Sequence, residues 1–266
     1  MLKSLKFRSG AVLCAALLFA IAALSAPPRS RAQGATAPDL ISASFVTVRP
    51  DMVAEFEAII ATETNAAYMK AGYKWRRVWR TRHGDTFEYI IATPIQNFAE
   101  LDMPHPIERA NGKDGYANWR AKALKLVSSV ETRIVERRHD LSYEPKMSGP
   151  PKLAIFTTVQ VAPDRVTEFE GLVVSDILPA MKQSGTAGYW VSRTRFGGNV
   201  NEYRTVWLFD NYAELDKGFS LDRVLGKDGS MKLSAKVSAT LAGPIERRIM
   251  RFVPELSYDT TAAMPK

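Results

Sequence analysis

The chain has 266 residues, of which 46% are hydrophobic and 24% charged, and its formal net charge at pH 7 is +8. Five of the basic residues and none of the acidic ones fall within residues 1–32, so the remainder carries 31 basic and 28 acidic residues, a net charge of +3. This near balance, without a run of five like charges, argues against nucleic acid or an anionic membrane surface as a partner.

The first 32 residues have the three-part pattern of a secretory signal peptide. A short basic stretch ends at Arg8, an apolar run follows from Ala11 to Leu24, and small residues come next. The run is shorter than the roughly 20 residues that span a bilayer, so we predict export to the periplasm or the cell exterior without stable membrane insertion. Cleavage after Ala32 fits the small-x-small rule, and a retained anchor is left open. The only cysteine, Cys14, lies in this segment, which excludes disulfides, thiol catalysis and cysteine–metal sites from a mature chain.

The sequence contains an internal repeat, in which residues 40–143 align with residues 153–258 at an offset of 113 to 115. The clearest matches are Pro50-Asp51 with Pro163-Asp164, Arg80-Thr81-Arg82 with Arg193-Thr194-Arg195, Glu88-Tyr89 with Glu202-Tyr203, and Gly112-Lys113-Asp114-Gly115 with Gly226-Lys227-Asp228-Gly229. A period this long is a whole small domain rather than a solenoid unit. We therefore predict two like domains joined by a stiff linker over 144–152, with an N-terminal segment over 33–39 and a tail over 259–266.

Each repeat predicts the element order β-α-β-β-α-β. In repeat 1 we expect a strand over 40–48, a helix from Pro50 to Gly72, strands over 73–82 and 86–93, a short helix over 97–102, a longer helix capped by Asp114, and a last strand over 132–138. In repeat 2 the same elements fall at 153–161, Pro163 to Gly185 with a kink at Pro179, 187–195, 201–209, 212–217, a helix capped by Asp228, and 247–253.

The first strand of each repeat carries apolar residues on both faces. Such a strand is expected to have helices on one side and a second sheet on the other. We therefore predict an α+β fold of two tandem ferredoxin-like domains, packed sheet to sheet as an intramolecular dimeric α/β barrel. The two repeats would pair with each other, and any further oligomerisation is left open.

The opening of each repeat resembles that of dimeric α/β-barrel proteins. Repeat 1 has Val48-x-Pro50-Asp51 followed by Val53-x-x-Phe56-Glu57, and repeat 2 has Val161-x-Pro163-Asp164 followed by Val166-x-x-Phe169-Glu170. This superfamily includes the antibiotic-biosynthesis mono-oxygenase-like and NIPSNAP-like families, and the likeness extends over the domain plan of both repeats. It implies paired ferredoxin-like units with a ligand cavity between sheet and helices. Haem-binding relatives use a histidine ligand, which no motif identifies here, so we predict no cofactor.

Aromatic residues on the second strand of each repeat are the first candidates for ligand binding. Trp75 and Trp79 share a face in repeat 1, and Tyr189 and Trp190 lie on the matching strand of repeat 2. Their rings would either line a cavity or pack in the core and between the sheets. This strand also differs most between the repeats, since Trp75-Arg76-Arg77 aligns with Gly188-Tyr189-Trp190. Any asymmetric chemistry is expected there and around His105.

The charged candidates are Arg80 and Arg193 on the second strands, and Glu88 and Glu202 on the strands that follow. One interpretation is a cross-strand arginine–glutamate pair in each repeat. The other is an arginine at a cavity mouth, which binds an anionic substrate through two hydrogen bonds.

His105 is the histidine of greatest interest, because it lies between Pro104 and Pro106 in a loop that could reach a cavity. It would be either a ligand-binding residue or an ordinary surface residue. No histidine in the chain has a second histidine or cysteine at ligand spacing, so we predict no metal site. The repeated Gly-Lys-Asp-Gly lacks phosphate-loop spacing and predicts a turn with a helix cap.

Three functions stay open, and no catalytic residue can be named. The first is an exported barrel that binds a small, partly apolar molecule in a cavity of each repeat. The second is a cofactor-independent mono-oxygenase-like enzyme acting on a cyclic, enolisable substrate, which the family resemblance alone implies. The third is a structural or interaction module without a ligand. Whether the chain is an enzyme is left undecided at this stage.

Overall fold

The computed structural model describes residues 39–145, 149 and 151–261. The predicted signal peptide, most of the predicted N-terminal segment, the middle of the linker and the end of the tail lie outside these residues. No helix within the described ranges has the length and hydropathy that a membrane span requires.

The strands of the described chain are antiparallel to their neighbours. Repeat 1 contains β1 (Asp39–Val48), β2 (Trp75–His83), β3 (Glu88–Ile95) and β4 (Val127–Arg137). Repeat 2 contains β5 (Leu153–Gln160), β6 (Gly188–Phe196), β7 (Glu202–Phe209) and β8 (Glu246–Phe252), and a short β9 (Tyr258–Asp259) follows. Apolar and β-branched residues dominate β1, β3, β5 and β7, the inner strands of each repeat, as expected for strands covered on both faces.

Helices connect the strands on the outside of the sheet. Repeat 1 has α1 (Val53–Ile59), α2 (Asn65–Lys70) and α3 (Pro106–Leu126), and repeat 2 has α4 (Val166–Leu172), α5 (Leu178–Gln183), α6 (Ala213–Asp216) and α7 (Ser220–Ala239). Within each repeat, the helices pack on one face of the strands, which gives the two main apolar clusters around Phe56 and Phe169.

The sheet closes on itself as an eight-stranded barrel. The order is β4-β1-β3-β2 within repeat 1 and β8-β5-β7-β6 within repeat 2, which is the ferredoxin-like arrangement. Strand β4 pairs with β6, and β2 pairs with β8, so the edges of the two sheets are joined by hydrogen bonds. The prediction of tandem ferredoxin-like domains forming one α/β barrel is confirmed. Closure also removes the edge strands that would otherwise invite aggregation.

A π-helical turn divides the first helix of both repeats. It covers Ile60–Thr64 in repeat 1 and Val173–Ile177 in repeat 2. The kink predicted from Pro179 falls at this place, where the proline occupies the first turn of α5. Proline is not its cause, however, because repeat 1 has the same turn without one.

The second long helix of each repeat consists of two segments that meet at a kink. In repeat 1 the first segment begins at Pro106, where proline suits the first helical position and the His105 side chain caps the helix, and the second follows the break at Gly112, beside Asp114 as predicted. The Gly-Lys-Asp-Gly motif lies inside the helix and breaks it. Gly112 (φ +75°) and Gly226 (φ +69°) adopt a backbone conformation that residues with a Cβ rarely reach.

Candidate functional site

The nine predicted ligand-binding residues do not form one site. Successive side chains of a strand point to opposite faces, so the barrel divides these residues into two groups. The residues inside the barrel are Trp75, Trp79, Glu88, Trp190 and Glu202. The residues on the helix side are Arg80, His105, Tyr189 and Arg193.

The predicted cross-strand pairs of Arg80 with Glu88 and of Arg193 with Glu202 are wrong. Arg80 lies directly opposite Tyr89 in the ladder and therefore shares a face with Tyr89 rather than with Glu88. Its Nη1 donates to Glu57 Oε1 at 3.1 Å, on the helix side. Arg193 lies opposite the matching tyrosine and donates instead to the loop that precedes β7.

A tyrosine–glutamate hydrogen bond recurs at the same place in both repeats. Tyr89 Oη donates to Glu57 Oε1 at 2.6 Å, and Tyr203 Oη donates to Glu170. Arg138, from the end of repeat 1, donates to both oxygens of Glu170 as well. Burial and the bond to the glutamate raise the pKa of Tyr89 and of Tyr203, so both stay protonated donors. These shared residues tie the first helix of each repeat to its sheet.

Glu88 and Glu202 lie at one end of the barrel interior and join the two repeats. Glu88 pairs with Arg248 of repeat 2 at 3.3 Å, and Glu202 pairs with Arg133 of repeat 1 at 2.5 Å. Arg204 donates a second hydrogen bond to Glu202 at 3.2 Å, and burial lowers the pKa of Arg204 to about 10. Both carboxylates are thus engaged in the contact between the repeats.

The other end of the barrel interior holds the lumen cavity, of 250 Å³, lined by Trp75, Trp79 and Trp190. The guanidinium of Arg77 lies 4.8 Å from the centroid of Trp75, and that of Arg137 lies 4.4 Å from the centroid of Trp190. Each guanidinium also has a carboxylate partner. At this end of the barrel, the tryptophan rings therefore already contact arginines, and these arginines are already paired with carboxylates.

A larger space of 420 Å³ lies between the sheet of repeat 1 and its helices, and we call it the helix-side cavity of repeat 1. Its size falls within the range of small-molecule sites, about 300–1,000 Å³. Hydroxyl groups of β1, β3 and β4 line its sheet wall. Its other polar lining comes from Tyr68, Tyr73, Arg76, Glu100 and His105.

Arg76 places a buried positive charge in this cavity. The residue is only 6% exposed, and its guanidinium lies 4.8 Å from the ring centroid of Tyr68. Nη1 donates to the amide oxygen of Asn65 at 2.9 Å, while Nε has no hydrogen-bond partner among the described residues. No described carboxylate forms an ion pair with it, and burial lowers the pKa of Arg76. An uncompensated buried charge is costly, which favours binding of an anion here.

His105 lies beside Arg76 as a neutral hydrogen-bond donor. Its Nδ1 accepts from the backbone N–H of Ile107 at 3.2 Å, so the proton of the neutral ring is on Nε2. Burial, together with the nearby charges of Arg76 and Arg109, lowers the pKa of His105. The ring stacks on Tyr116 at 4.8 Å between centroids. In this arrangement His105 can donate to an anion but has no lone pair free to act as a base.

Tyr73, Glu100 and Arg109 form a polar group beside Arg76. Arg109 Nη2 donates to Tyr73 Oη at 3.2 Å and lies 3.8 Å from Glu100 Oε1. Burial and the hydrogen bond to Glu100 raise the pKa of Tyr73, which therefore stays protonated. Glu100 is thus partly neutralised by its own neighbours, and the net charge of the cavity stays positive.

Arg76 is not among the site residues predicted from the sequence, although its segment is. Arg76 sits in the Trp75–Arg77 stretch that differs most between the repeats. Its burial depends on Asn65 and Tyr68, which come from α2, the element that precedes β2 in the chain. The mismatch with Tyr189 was the available signal.

The matching space in repeat 2, the helix-side cavity of repeat 2, has a volume of 310 Å³ and a different character. Its wall is mostly apolar and includes Met181, Tyr189, Trp207, Phe219 and Leu233. Burial raises the pKa of Tyr189 to about 12, so its ring adds no charge. Among the described residues, three buried side-chain nitrogens lack a hydrogen-bond partner, and all belong to residues in or beside these two cavities.

The described lining of these cavities contains no cluster of metal ligands. Within residues 39–145, 149 and 151–261, no three histidine, cysteine, aspartate or glutamate side chains are placed to hold a metal ion together. His105 is the only described histidine that lines a helix-side cavity. Its Nδ1 is already engaged in the helix cap.

Solved structures share this fold at low sequence identity. A candidate monooxygenase from Fusobacterium nucleatum subsp. nucleatum matches with a TM-score of 0.57 and 12% identity, over 81% of this chain and 93% of its own. A second candidate monooxygenase, from Lactobacillus acidophilus NCFM, gives 0.57 and 9% over 84% and 97% of the chains. An anthrone oxidase-like protein gives 0.56 and 13% over 85% and 95%. No protein-family model and no curated protein matches the sequence.

These likenesses show a common fold and confirm the resemblance to dimeric α/β barrels drawn from the repeat openings. Each covers more than four fifths of the chain, so both repeats take part in the match. Identities of 9–13% establish architecture only, because one fold hosts many chemistries.

Proposed function

We propose that this protein is exported and binds a small, flat organic anion in the helix-side cavity of repeat 1. The observation that carries the proposal is the buried guanidinium of Arg76, which lacks a carboxylate partner among the described residues and retains an unpaired Nε–H. A carboxylate, phenolate or enolate of the ligand would supply the missing charge and accept two hydrogen bonds. The signal-peptide pattern supports export, which the mass of the mature protein from the native host would check.

The remaining lining suits a ligand with an apolar ring attached to its anionic group. Tyr68 lies under the Arg76 guanidinium and lines the cavity, and His105 Nε2–H is a second donor close by. Tyr73 and Arg109 add polar contacts at the side. This set binds and orients an anion, and its positive charge selects against cations.

A second candidate function is cofactor-independent oxygenation of a cyclic, enolisable substrate. It is supported by the fold shared with the candidate monooxygenases and the anthrone oxidase-like protein. In such a step a ring CH₂ becomes C=O, one atom of O₂ enters the product, and the other leaves as water with the two hydrogens. The contribution of this chain would be Arg76, which stabilises the substrate enolate before it meets oxygen.

The geometry of His105 favours binding over catalysis. A neutral histidine whose Nδ1 accepts a backbone hydrogen bond cannot remove a proton from the substrate with either nitrogen. Tyr73 is held protonated by burial and Glu100, so it is not a base either. Neither His105 nor Tyr73 therefore serves as the base, and the contribution of Arg76 would be to stabilise the anion of the substrate.

The binding proposal is tested by calorimetric titration of 2-naphthoate into the mature protein. Arg76→Met should weaken binding by about 30-fold or more, since removing one partner of a buried charge pair costs about 2–5 kcal/mol. Arg76→Lys should recover part of the affinity, because it keeps the charge but not the planar fork. Arg82→Met is the matched control, since Arg82 is an exposed arginine of the same strand. Equal affinity in wild type and Arg76→Met would contradict the proposal.

The oxygenase candidate is tested by oxygen uptake with anthrone as the probe. If the protein is an oxygenase, the wild type accelerates oxygen uptake above the spontaneous rate. Arg76→Met should then remove most of that acceleration. The same rate with wild type, Arg76→Met and heat-denatured protein would eliminate this candidate and leave the binding proposal untouched.

A further inference from the structure

The helix-side cavity of repeat 2 occupies the same place in the fold as that of repeat 1 but lacks the groups that would hold an anion there. At the sequence offset of the repeats, Tyr68 is replaced by Met181, Arg76 by Tyr189 and His105 by Phe219. All three replacements line the cavity of repeat 2. The site geometry is thus retained while the chemistry that would hold an anion is gone.

One unused hydrogen-bond donor remains in this apolar space. Trp207 is 7% exposed and lines the cavity, and its Nε1 has no partner among the described residues. The hydroxyl of Tyr189 is engaged with Thr205, so it does not compete for the same ligand atom. A buried indole N–H normally finds a partner, and leaving it unpaired is unfavourable.

The mouth of the cavity exposes apolar surface. Phe219 is 48% exposed and Ile245 is 42% exposed, and both line the cavity. The guanidinium of Arg247 lies 5.9 Å from the Phe219 ring, at the cavity wall. An exposed apolar rim around a mostly apolar pocket is the arrangement of a small-molecule site.

We propose that this cavity is a second binding site, for a neutral, mostly apolar molecule of one or two rings with a single hydrogen-bond acceptor such as a ketone or ester. The acceptor bonds to Trp207 Nε1, and the rings contact Met181, Phe219 and Leu233. A cavity of 310 Å³ is at the small end of ligand sites, which limits the occupant to this size. The inference is independent of the anion site, because the two cavities share no lining residue.

Charge sets the selectivity of the second site. Arg247 and Asp222 are the charged residues of its lining, and their opposite signs leave no net charge to hold an anion. A carboxylate would therefore lose its hydration without a buried counter-charge, whereas a ketone loses little and satisfies Trp207. The two cavities would bind different molecules at the same time.

The test uses three naphthalene probes of similar shape, titrated calorimetrically into the full mature protein. They are 2-acetylnaphthalene with a ketone, 2-isopropylnaphthalene without an acceptor, and 2-naphthoate with a charge. The ketone should bind wild type, and Trp207→Phe should weaken it about fivefold, the value of one hydrogen bond of about 1 kcal/mol. The hydrocarbon should be unaffected by Trp207→Phe, and Arg76→Met should leave ketone binding unchanged.

Several outcomes would overturn the second site. They are no ketone binding to wild type, an equal effect of Trp207→Phe on ketone and hydrocarbon, and displacement of the ketone by 2-naphthoate. If Trp207→Phe fails to fold, Ser230→Leu replaces it, because it fills the cavity from α7 without touching the sheet. That variant should abolish ketone binding, and retained binding in it would contradict the assignment. Loss of naphthoate binding alone would bear only on the first site.

Discussion

The two helix-side cavities lie at matching places in the two repeats but differ in the side chains that line them. In repeat 1 the cavity holds a buried guanidinium, a neutral histidine and two tyrosines, and in repeat 2 the matching positions are mostly apolar. Both repeats have the same order of strands and long helices, and a π-helical turn divides the first helix of each. The difference between the cavities therefore lies mainly in their side chains.

The residues that match between the repeats have structural roles. Glu57 with Tyr89, and Glu170 with Tyr203, bind helix to sheet at the same place in each half. The matching prolines open the first helix, and the glycines break the second. The residues that differ between the repeats include those that line the helix-side cavities. Binding sites are therefore expected at positions where the two repeat sequences differ. Three predictions test this division between shared scaffold and differing cavities.

The largest effect on stability is expected at Glu202, because its ion-pair partners differ from those of the matching Glu88. Glu202→Gln should lower the free energy of unfolding by about 3–5 kcal/mol, because the buried Arg204 is left without a carboxylate partner. Glu88→Gln should cost less, about 1–3 kcal/mol, since Arg248 is more exposed and keeps Glu246. Urea unfolding measures both losses.

The control for this pair is Glu131→Gln, because the Glu131 side chain is 53% exposed at the same end of the barrel. It should change stability by less than either substitution inside the barrel. Equal losses for Glu202→Gln and Glu88→Gln would show that the extra guanidinium of Arg204 makes no difference between the halves.

A smaller effect is expected on stability at Arg76. Because its burial without a counter-charge is unfavourable, Arg76→Met should leave the melting temperature of the free protein equal or higher, while anion binding is lost. The loss of the hydrogen bond to Asn65 offsets part of this gain. The matching replacement in repeat 2, Tyr189→Phe, should leave anion binding unchanged. A strong drop in melting temperature for Arg76→Met would assign Arg76 to the scaffold.

The smallest effect is expected in the pH dependence of the free energy of unfolding. It comes from His105, whose position in repeat 2 is taken by Phe219. The pKa of His105 is lowered in the folded protein, by burial first and then by Arg76 and Arg109, while the unfolded chain keeps the ordinary value of about 6.5. As pH falls below about 6.5, the unfolded state takes up a proton that the folded state does not, so the free energy of unfolding falls. His105→Asn keeps a cap acceptor but does not titrate, so it should reduce this slope.

The slope is obtained from urea unfolding at several pH values on either side of the histidine range. His139 is the internal control, since its side chain is 60% exposed and lies outside the helix-side cavities. His139→Asn should leave the contribution of His105 in place. An unchanged slope in His105→Asn would show that the burial of His105 has no energetic consequence.

The fold was predictable because its signals are local. Pro50 and Pro163 start helices, apolar runs form the inner strands, and the repeat itself implies a pseudo-dimer. The face of the sheet to which each side chain points was harder to predict, because a shift of one residue in strand register moves every side chain to the opposite face. Arg80 and Glu88 were expected to meet, yet the ladder sets Arg80 opposite Tyr89 and separates the two by the sheet.

The site was predictable only as a region. The aromatic strand predicts Trp75 and Trp79 as ligand-binding residues, and both lie inside the barrel, where arginines cover the rings of Trp75 and Trp190. The loop position of His105 predicts a place near a cavity, and His105 does line the helix-side cavity of repeat 1. Arg76 looks like a surface arginine in sequence, because nothing local reveals that α2 buries it.

The most direct test of the account is a crystal structure of the mature protein soaked with 2-naphthoate. We predict the carboxylate within hydrogen-bond distance of the Arg76 guanidinium, about 2.7–2.9 Å, with the rings against Tyr68 in the helix-side cavity of repeat 1. The helix-side cavity of repeat 2 should hold no naphthoate. Density for naphthoate in the lumen cavity beside Trp75 and Trp190, or equally in both repeats, would contradict the claim that the mismatches between the repeats decide what binds.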